Sequence, residues 1–157
     1  MKKIFSFILL FLFAANISSC GYHLRGAQEI NFQSISIDGG SAGFVKALKR
    51  KFRQSGVKIN TGEAEKSLEI VSDSCKKEIL SLSSKGRVKE YEIIYKVSYR
   101  IKLQDGTWGS PISIETNRDY TFDDTKIIAK TEEESRLIKG MREHLIRTIV
   151  TQISVSK

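Results

Sequence analysis

The segment YEIIYKVSYRIKL, residues 91–103, decides the fold, because apolar or aromatic side chains occupy every second position along it. The positions between them are mostly charged or polar. Side chains of a β-strand alternate between its two faces, so this period of two predicts a strand with one packed face and one wetter face. We expect Tyr95, Val97 and Tyr99 to be buried and Lys96 to be more exposed.

Further strands are predicted on both sides of this segment. After it, residues 104–107 contain an Asp-Gly pair, which is a strong cue for a hairpin turn, and the alternation resumes over residues 112–122. Before it, apolar residues within 68–82 indicate one long irregular strand or two short ones, followed by a turn at 83–86. Residues 30–38 have the mixed pattern of a short, half-buried strand.

A first amphipathic helix is predicted around residues 44–52, where apolar side chains recur at helical spacing. Ser41 is placed to cap its start, and Gly56 stands where a C-terminal glycine belongs. The run Lys49-Arg50-Lys51 is interpreted as a plain solvated face of this helix.

A last helix is predicted from apolar residues at every fourth position between 137 and 153. It begins either at a cap formed by Asp123 or Asp124, or at a capping box of Thr131 and Glu134. The order of elements predicts an α+β two-layer sandwich, in which two helices pack on one face of a mostly antiparallel three- or four-stranded sheet.

The N-terminus has the layout of a lipoprotein signal. Two lysines precede an apolar run at residues 4–15, which is too short to span a hydrocarbon core of about 30 Å. An apolar residue, two serines and Cys20 follow, and this order resembles the lipobox at which a diacylglycerol is attached to the cysteine. The alternatives are an ordinary signal peptide with an accidental cysteine, or a short buried helix. Gly21, rather than the Asp of inner-membrane lipoproteins, indicates the outer membrane.

These features divide the chain into three parts. We expect residues 1–19 to be a signal peptide that is removed, residues 20–29 to be a lipidated tether, and residues 30–157 to be a single α+β domain. The formal charge of +8 falls to +6 in the mature chain, because the signal holds two lysines and no acid. A basic domain suits a polyanionic partner, and in the periplasm this means phosphorylated glycolipids or anionic lipid headgroups rather than nucleic acid.

Catalysis and metal binding have little support in the sequence. Once Cys20 is lipidated, Cys75 has no partner in the chain for a disulfide or a cysteine metal site, and it is interpreted as a half-buried strand residue. The two histidines, His23 and His144, are far apart. We therefore expect no enzyme, no metal and no cofactor beyond the covalent diacylglycerol and fatty acid on Cys20.

The segment CGYHLRG, residues 20–26, resembles the start of mature LptE proteins, a family of lipopolysaccharide-assembly lipoproteins. Glu90-Tyr91 and parts of 129–146 fit the same family in order and spacing. The resemblance implies a two-layer fold of helices on a sheet. It also implies an outer-membrane lipoprotein, lipid-anchored on the periplasmic side, that plugs and helps assemble the LptD β-barrel and binds lipopolysaccharide on its way to the outer leaflet.

A lipopolysaccharide site should offer clustered cations to phosphates and acidic sugars. The predicted hairpin brings the turn with Lys85 and Arg87 close to the start of the last helix, with Lys126 and Lys130. These four residues are the candidate lipopolysaccharide-binding site, and the alternative is that they are ordinary solvated cations.

A second cationic group is predicted on the wetter sheet face, where Lys96, Arg100 and Lys102 are joined by Arg118 and contact either lipopolysaccharide or the barrel lumen. Trp108 is interpreted as a local packing residue or a contact to the barrel wall. Two other functions stay open: a periplasm-facing carrier of anionic lipid, and an envelope glycan hydrolase. A sandwich of this size has little interior space for acyl chains, and its acids are not paired in a cleft.

Overall fold

The computed structural model describes residues 30–155, and the fold is given for these residues. A short 3-10 turn, Asp124–Lys126, leads into the last helix. The elements in chain order are β1 (Ser34–Gly39), α1 (Ala42–Gln54), β2 (Lys58–Asn60), β3 (Lys66–Leu82), β4 (Val88–Ile101), β5 (Ile112–Thr121) and α2 (Ile127–Val155).

The strands form one mixed sheet in the order β2-β1-β3-β4-β5. β1 is parallel to both β2 and β3, whereas β3, β4 and β5 are antiparallel neighbours. The expectation of a three- or four-stranded, mostly antiparallel sheet is therefore wrong in strand number and in the direction of β1. β2 has only three residues, of which Ile59 alone is apolar, so it leaves no alternation to detect. The prediction of an α+β fold with two helices is confirmed.

The central strand β4 has the predicted alternation. Ile93, Tyr95, Val97 and Tyr99 are each 3% exposed or less, while Lys96 is exposed. β3 is one long strand with register shifts near Ser72 and Ser81, which explains its irregular pattern in the sequence. Both helices pack on the odd-numbered face of β4: the ring of Phe44 in α1 lies 6.3 Å from that of Tyr95, and Tyr99 donates a hydrogen bond to Gln152 in α2.

The helix boundaries follow the predicted caps. The Ser41 hydroxyl accepts a hydrogen bond from the Phe44 amide, and Gly56 has a φ of +83° just after α1, where a left-handed residue favours glycine. The Asp123 carboxylate accepts from the Thr125 amide at 3.0 Å, so the earlier of the two predicted helix starts is correct. The Thr131 hydroxyl instead donates to the carbonyl of Ile127 within α2.

The domain has two distinct ends. At the tether end, the Asn31 amide donates to the Ser154 carbonyl at 3.2 Å, and the ring of Phe32 lies 6.2 Å from that of Phe52 near the end of α1. The hairpin end comprises the β3–β4 turn, residues 83–87, and the start of α2 with the turn before it, residues 123–130. β4 and α2 both run between the two ends, so the ends are separated by the length of the domain.

Candidate functional site

The β3–β4 turn at the hairpin end is well defined by hydrogen bonds. The Ser83 amide donates to the Arg87 carbonyl at 2.7 Å, and the Arg87 amide donates back to the Ser83 hydroxyl at 3.1 Å. Gly86 has a φ of +74°, which this tight turn requires. Lys85 and Arg87 are thus presented from a fixed loop.

The fold brings this turn beside the start of α2, as the hairpin geometry predicts. The Phe122 amide donates to the Lys89 carbonyl at 2.8 Å, which holds the end of β5 against the start of β4. Immediately beyond, the Arg87 guanidinium lies 3.2 Å from the Asp124 carboxylate. This contact links the two halves of the predicted cationic cluster.

Three of the four predicted cations have acidic partners. Besides the Arg87 pair, Lys126 lies 4.0 Å from Asp123 and Lys130 lies 2.8 Å from Glu133. The pKa of Asp123 is lowered, chiefly by the hydrogen bond from the Thr125 hydroxyl and further by the positive charges of Lys126 and Lys130. The hairpin end is therefore a mixed-charge surface rather than a purely cationic one.

These ion pairs leave the cations accessible to a competing anion. The side chains of Arg87 and Lys126 are 68% and 69% exposed, and ion pairs that are this exposed contribute little to stability because solvent screens them. Lys130 is different, because its side chain is 19% exposed. Among residues 30–155, Lys85 has no ion-pair partner. An incoming phosphate would thus exchange partners at little cost to the fold.

Exposed apolar side chains lie within the hairpin end and in the adjoining last residues of β3, and sequence reasoning missed them. Ile79, Leu80 and Leu82 at the end of β3 are 50–57% exposed, and Ile127 and Ile128 at the start of α2 are 58% and 80% exposed. The two isoleucines line a shallow hollow of about 540 Å³. The sequence does indicate that Ile127 and Ile128 are exposed, because they precede the regular apolar repeat of α2 and so do not belong to its buried face.

The second predicted cationic group is only partly brought together. Lys96 lies 4.0 Å from Glu115, and Arg100 lies 2.5 Å from Glu69 on the uncovered face of the sheet. Arg118 does not join them, because it pairs directly opposite Ile93 and so points to the helix-covered side. The assignment of Arg118 to the wetter face was therefore wrong.

The surroundings of Trp108 fit a local packing role. The Arg100 guanidinium lies 5.1 Å from the centroid of its ring. Lys102 and Trp108 form an isolated antiparallel bridge beside the β4–β5 turn. A cation over an aromatic face contributes about 0.5–1 kcal/mol at an exposed site, so this contact holds the turn against β4.

A polar cluster between the sheet and α2 was not predicted. The Lys77 ammonium lies 2.7 Å from the Glu134 carboxylate, which also accepts a hydrogen bond of 2.6 Å from the Tyr120 hydroxyl. Burial opposes ionisation of Glu134, but the hydrogen bonds from Lys77 and Tyr120 outweigh it, and the pKa of Glu134 is lowered. Such partners lie far apart in sequence, so no local pattern reveals them.

The environment of Cys75 differs from the sequence prediction. Cys75 is exposed rather than half-buried as expected, although desolvation raises the pKa of its thiol. Within residues 30–155, no group of three or more His, Cys, Asp or Glu residues is placed to hold a metal ion. In the same residues, no helix is both long and apolar enough to span a membrane. Cys20, His23 and Arg25 lie outside the described residues.

Comparison with known proteins connects this fold to lipoproteins. The structure is similar to a lipoprotein B from Nitrosomonas europaea, with a TM-score of 0.74 and 30% identity over 85% of this chain and 90% of that one. It is also similar to the rare lipoprotein B from Shewanella oneidensis, with a TM-score of 0.68 and 29% identity over 77% and 93% of the two chains. The fold and these relatives define a bacterial lipoprotein.

The sequence comparisons specify the family. The family model of LptE, described as lipopolysaccharide-assembly, matches residues 30–153. An LPS-assembly lipoprotein LptE from Pectobacterium atrosepticum is 24% identical over 87% of this chain and 77% of its own length. Its counterpart from Photorhabdus laumondii is 23% identical over 93% and 83%. The chain belongs to the LptE family of lipopolysaccharide-assembly lipoproteins, and the resemblance found in the sequence is confirmed.

Proposed function

We propose that this protein is a lipid-anchored plug inside an LptD-like β-barrel of the outer membrane. It helps to assemble that barrel and takes part in the transport of lipopolysaccharide through it. In this proposal Cys20 holds the tether end at the periplasmic leaflet, and the hairpin end, with Lys85, Arg87, Lys126 and Lys130, binds lipopolysaccharide. Membership of the lipopolysaccharide-assembly family supports the process. The main observation in favour of this arrangement is that the tether end and the hairpin end lie at opposite ends of the domain.

The domain is about as long as a bilayer is thick. α2 has 29 residues, which corresponds to about 43 Å, and the 14 residues of β4 correspond to about 46 Å. A bilayer with its headgroup regions measures about 40–45 Å. A domain aligned with the membrane normal and anchored at the tether end would therefore present its hairpin end at the outer leaflet.

The surface of the sheet suits the interior of a barrel. Its helix-free face is polar and carries ion pairs such as Lys96 with Glu115 and Arg100 with Glu69. Outer-membrane barrels have polar interiors, so such a face needs no apolar partner there. A barrel lumen would also align the long axis of the domain with the membrane normal.

The hairpin end matches the two chemical parts of lipopolysaccharide. The cations can meet phosphates through charge-assisted hydrogen bonds. The exposed Ile127 and Ile128 line one hollow with Lys126 and can cover acyl chains. A molecule that carries both phosphates and acyl chains can contact the cations and the apolar side chains at once, which a free sugar or a free anion cannot.

The two alternative functions fit less well. A lipid carrier would need an internal cavity, but the space between sheet and helices holds side chains such as Phe44, Tyr95 and Leu145, each 3% exposed or less. A glycan hydrolase would need a pair of carboxylates in a cleft, whereas Glu69, Asp124 and other acids here are engaged in ion pairs. The family match also favours the assembly component over both.

Affinity capture tests the plug directly. The full-length lipoprotein, captured from gently solubilised outer membranes, should bring down one large β-barrel protein identifiable by mass. Depletion of the lipoprotein should leave that barrel scarce or without its heat-modifiable folded form. Normal barrel abundance and heat-modifiability after full depletion would contradict the proposal. Release of sugars from isolated murein would favour the hydrolase, and co-purified free lipid without a barrel would favour the carrier.

A further inference from the structure

The positive charge of the domain is concentrated on part of the helical layer. α1 carries five cations and no acid. The second half of α2, residues 139–155, carries three cations and one acid. The other residues within 30–155 hold fourteen cations and sixteen acids. The net positive charge of the described domain therefore resides on α1 and residues 139–155, which we call the basic helical face.

The cations of α1 are available to another molecule. None of them forms an ion pair with a residue inside 30–155, in contrast to three of the four predicted cations at the hairpin end. Lys46, Arg50 and Arg53 are exposed on the side of α1 opposite its buried phenylalanines. Arg50 and Lys51 also line a hollow of about 250 Å³ together with Arg147 and Glu143 of α2, and this hollow, with three cations and one acid, joins the two parts of the face.

The basic helical face adjoins the point where the tether enters the domain. Asn31 is hydrogen-bonded to Ser154 in the last turn of α2, and Phe32 packs on Phe52 near the end of α1. The ten residues 20–29 between the lipidated cysteine and the described domain cannot reach beyond about 36 Å. The end of α1, where Arg50 and Arg53 flank Phe52, therefore lies within reach of the surface that holds the anchor.

We propose that the tether end of the basic helical face, with Arg50, Lys51 and Arg53 in the last turns of α1, contacts the anionic headgroups of the leaflet that holds the lipid anchor. A polybasic patch next to a lipid chain is a recurrent way of fixing a domain on an anionic membrane, because the two contributions add. The inference uses the lipid anchor of the proposed function, but neither the barrel nor lipopolysaccharide. Its consequence is that the tether end is held against the membrane in a fixed orientation.

The composition of α1 favours lipid over an acidic protein. None of the exposed large apolar side chains found in residues 30–155 belongs to α1. Protein interfaces are usually centred on buried aromatic or apolar anchors, which this helix does not offer. Anionic headgroups attract surface cations by charge alone, so binding to them requires no shaped pocket.

Vesicle binding tests the inference without the anchor. The mature chain, residues 20–157 with Cys20→Ser, should bind phosphatidylcholine vesicles only when they contain phosphatidylglycerol, and high salt should weaken the binding. Arg50→Gln with Arg53→Gln should weaken it about 30-fold, since each cation near an anionic surface contributes about 1 kcal/mol and 1.4 kcal/mol corresponds to one decade. The matched control is Lys76→Gln with Lys89→Gln, two exposed strand lysines, and should change it less than threefold.

The outcomes separate the possibilities. A selective loss in the α1 variant, with an unchanged circular dichroism melt, supports the inference. Equal losses in both variants would mean that only total charge matters, and would overturn it. Absence of phosphatidylglycerol-dependent binding would also overturn it, and reduced barrel capture by the α1 variant would then point to an acidic protein surface. Failure of barrel capture alone would leave the inference standing and count against the plug.

Discussion

The Lys77 ammonium lies 2.7 Å from the Glu134 carboxylate and ties β3 to the first half of α2, although 57 residues separate the two in sequence. The Tyr120 hydroxyl donates to the same carboxylate oxygen, and Lys77 sits 4.3 Å from the centroid of the Tyr91 ring. The pair thus joins three strands to the helix segment that leads to the hairpin end. The pair is therefore one of the contacts that hold the first half of α2 on the sheet.

Glu134→Gln should destabilise the domain by about 1–2 kcal/mol at neutral pH, because an amide accepts weaker hydrogen bonds from Lys77 and Tyr120 than a carboxylate does. The pKa of Glu134 is lowered by folding, so its contribution is present above the ordinary value of 4.5 and is lost as the pH falls through the folded-state pKa. The pKa of Lys77 is raised, so its contribution is lost only at strongly alkaline pH.

Urea titrations at pH 7 and pH 3 check this. The stability difference between wild type and Glu134→Gln should be present at pH 7 and shrink at pH 3. Glu132→Gln is the matched control, because its partner Arg136 lies 3.7 Å away with both side chains about 70% exposed, and it should change stability by less than about 0.5 kcal/mol. A difference that is the same at both pH values would show that the carboxylate charge is not what matters.

The register of β4 gives a second prediction. Val97 is fully buried, so Val97→Asp would place an unpaired carboxylate in the core and should unfold the domain. Ser98 points to the helix-free face opposite Ser72 and Ser113, so Ser98→Asp should cost less than about 1 kcal/mol. Circular dichroism melts of the two variants check the prediction, and equal tolerance at both positions would show the register to be wrong.

Lipopolysaccharide binding should depend on the hairpin end. Arg87→Glu with Lys126→Glu should weaken binding at least tenfold, because charge-assisted hydrogen bonds contribute about 1.5–3 kcal/mol each and 1.4 kcal/mol is one decade. These two side chains are preferred to Lys130 because they are about 70% exposed, so the fold should persist.

The matched control for this pair is Lys58→Glu with Lys76→Glu, two exposed strand lysines away from the turn. Binding of the unlipidated mature chain to purified lipopolysaccharide, measured at two salt concentrations, gives the comparison. Equal losses of affinity in both double variants would show that only total charge matters. No loss in either would show that lipopolysaccharide binds to another surface.

The anchor gives a fourth prediction. Cys20→Ser removes the thiol to which a diacylglycerol is attached, so the variant should incorporate no labelled palmitate. It should keep residues 1–19, which intact-mass measurement detects, and be absent from the outer-membrane fraction. Palmitate entering the variant protein would contradict the assignment of Cys20.

Much of the candidate site could be anticipated because it depends on hairpin connectivity. Once residues 91–103 are a strand and the Asp-Gly turn reverses the chain, the end of β5 must lie beside the start of β4. The Arg87–Asp124 contact follows from that geometry. The acidic partners of Lys126 and Lys130 were not anticipated, because side-chain pairing at a helix start depends on rotamers and on where the cap falls.

The sequence by itself determined the elements whose signals are local: the alternation of β4, the caps at Ser41 and Asp123, and the family motif at residues 20–26. Only the tertiary structure decided the parallel placement of β1 and the added strand β2, because strand pairing depends on contacts distant in sequence and β2 is too short to show a period. It also decided that Arg118 faces the helices and that Lys77 meets Glu134. A shift of one residue in register reverses the face of every side chain in a strand, and such a shift is fixed by packing rather than by local preference.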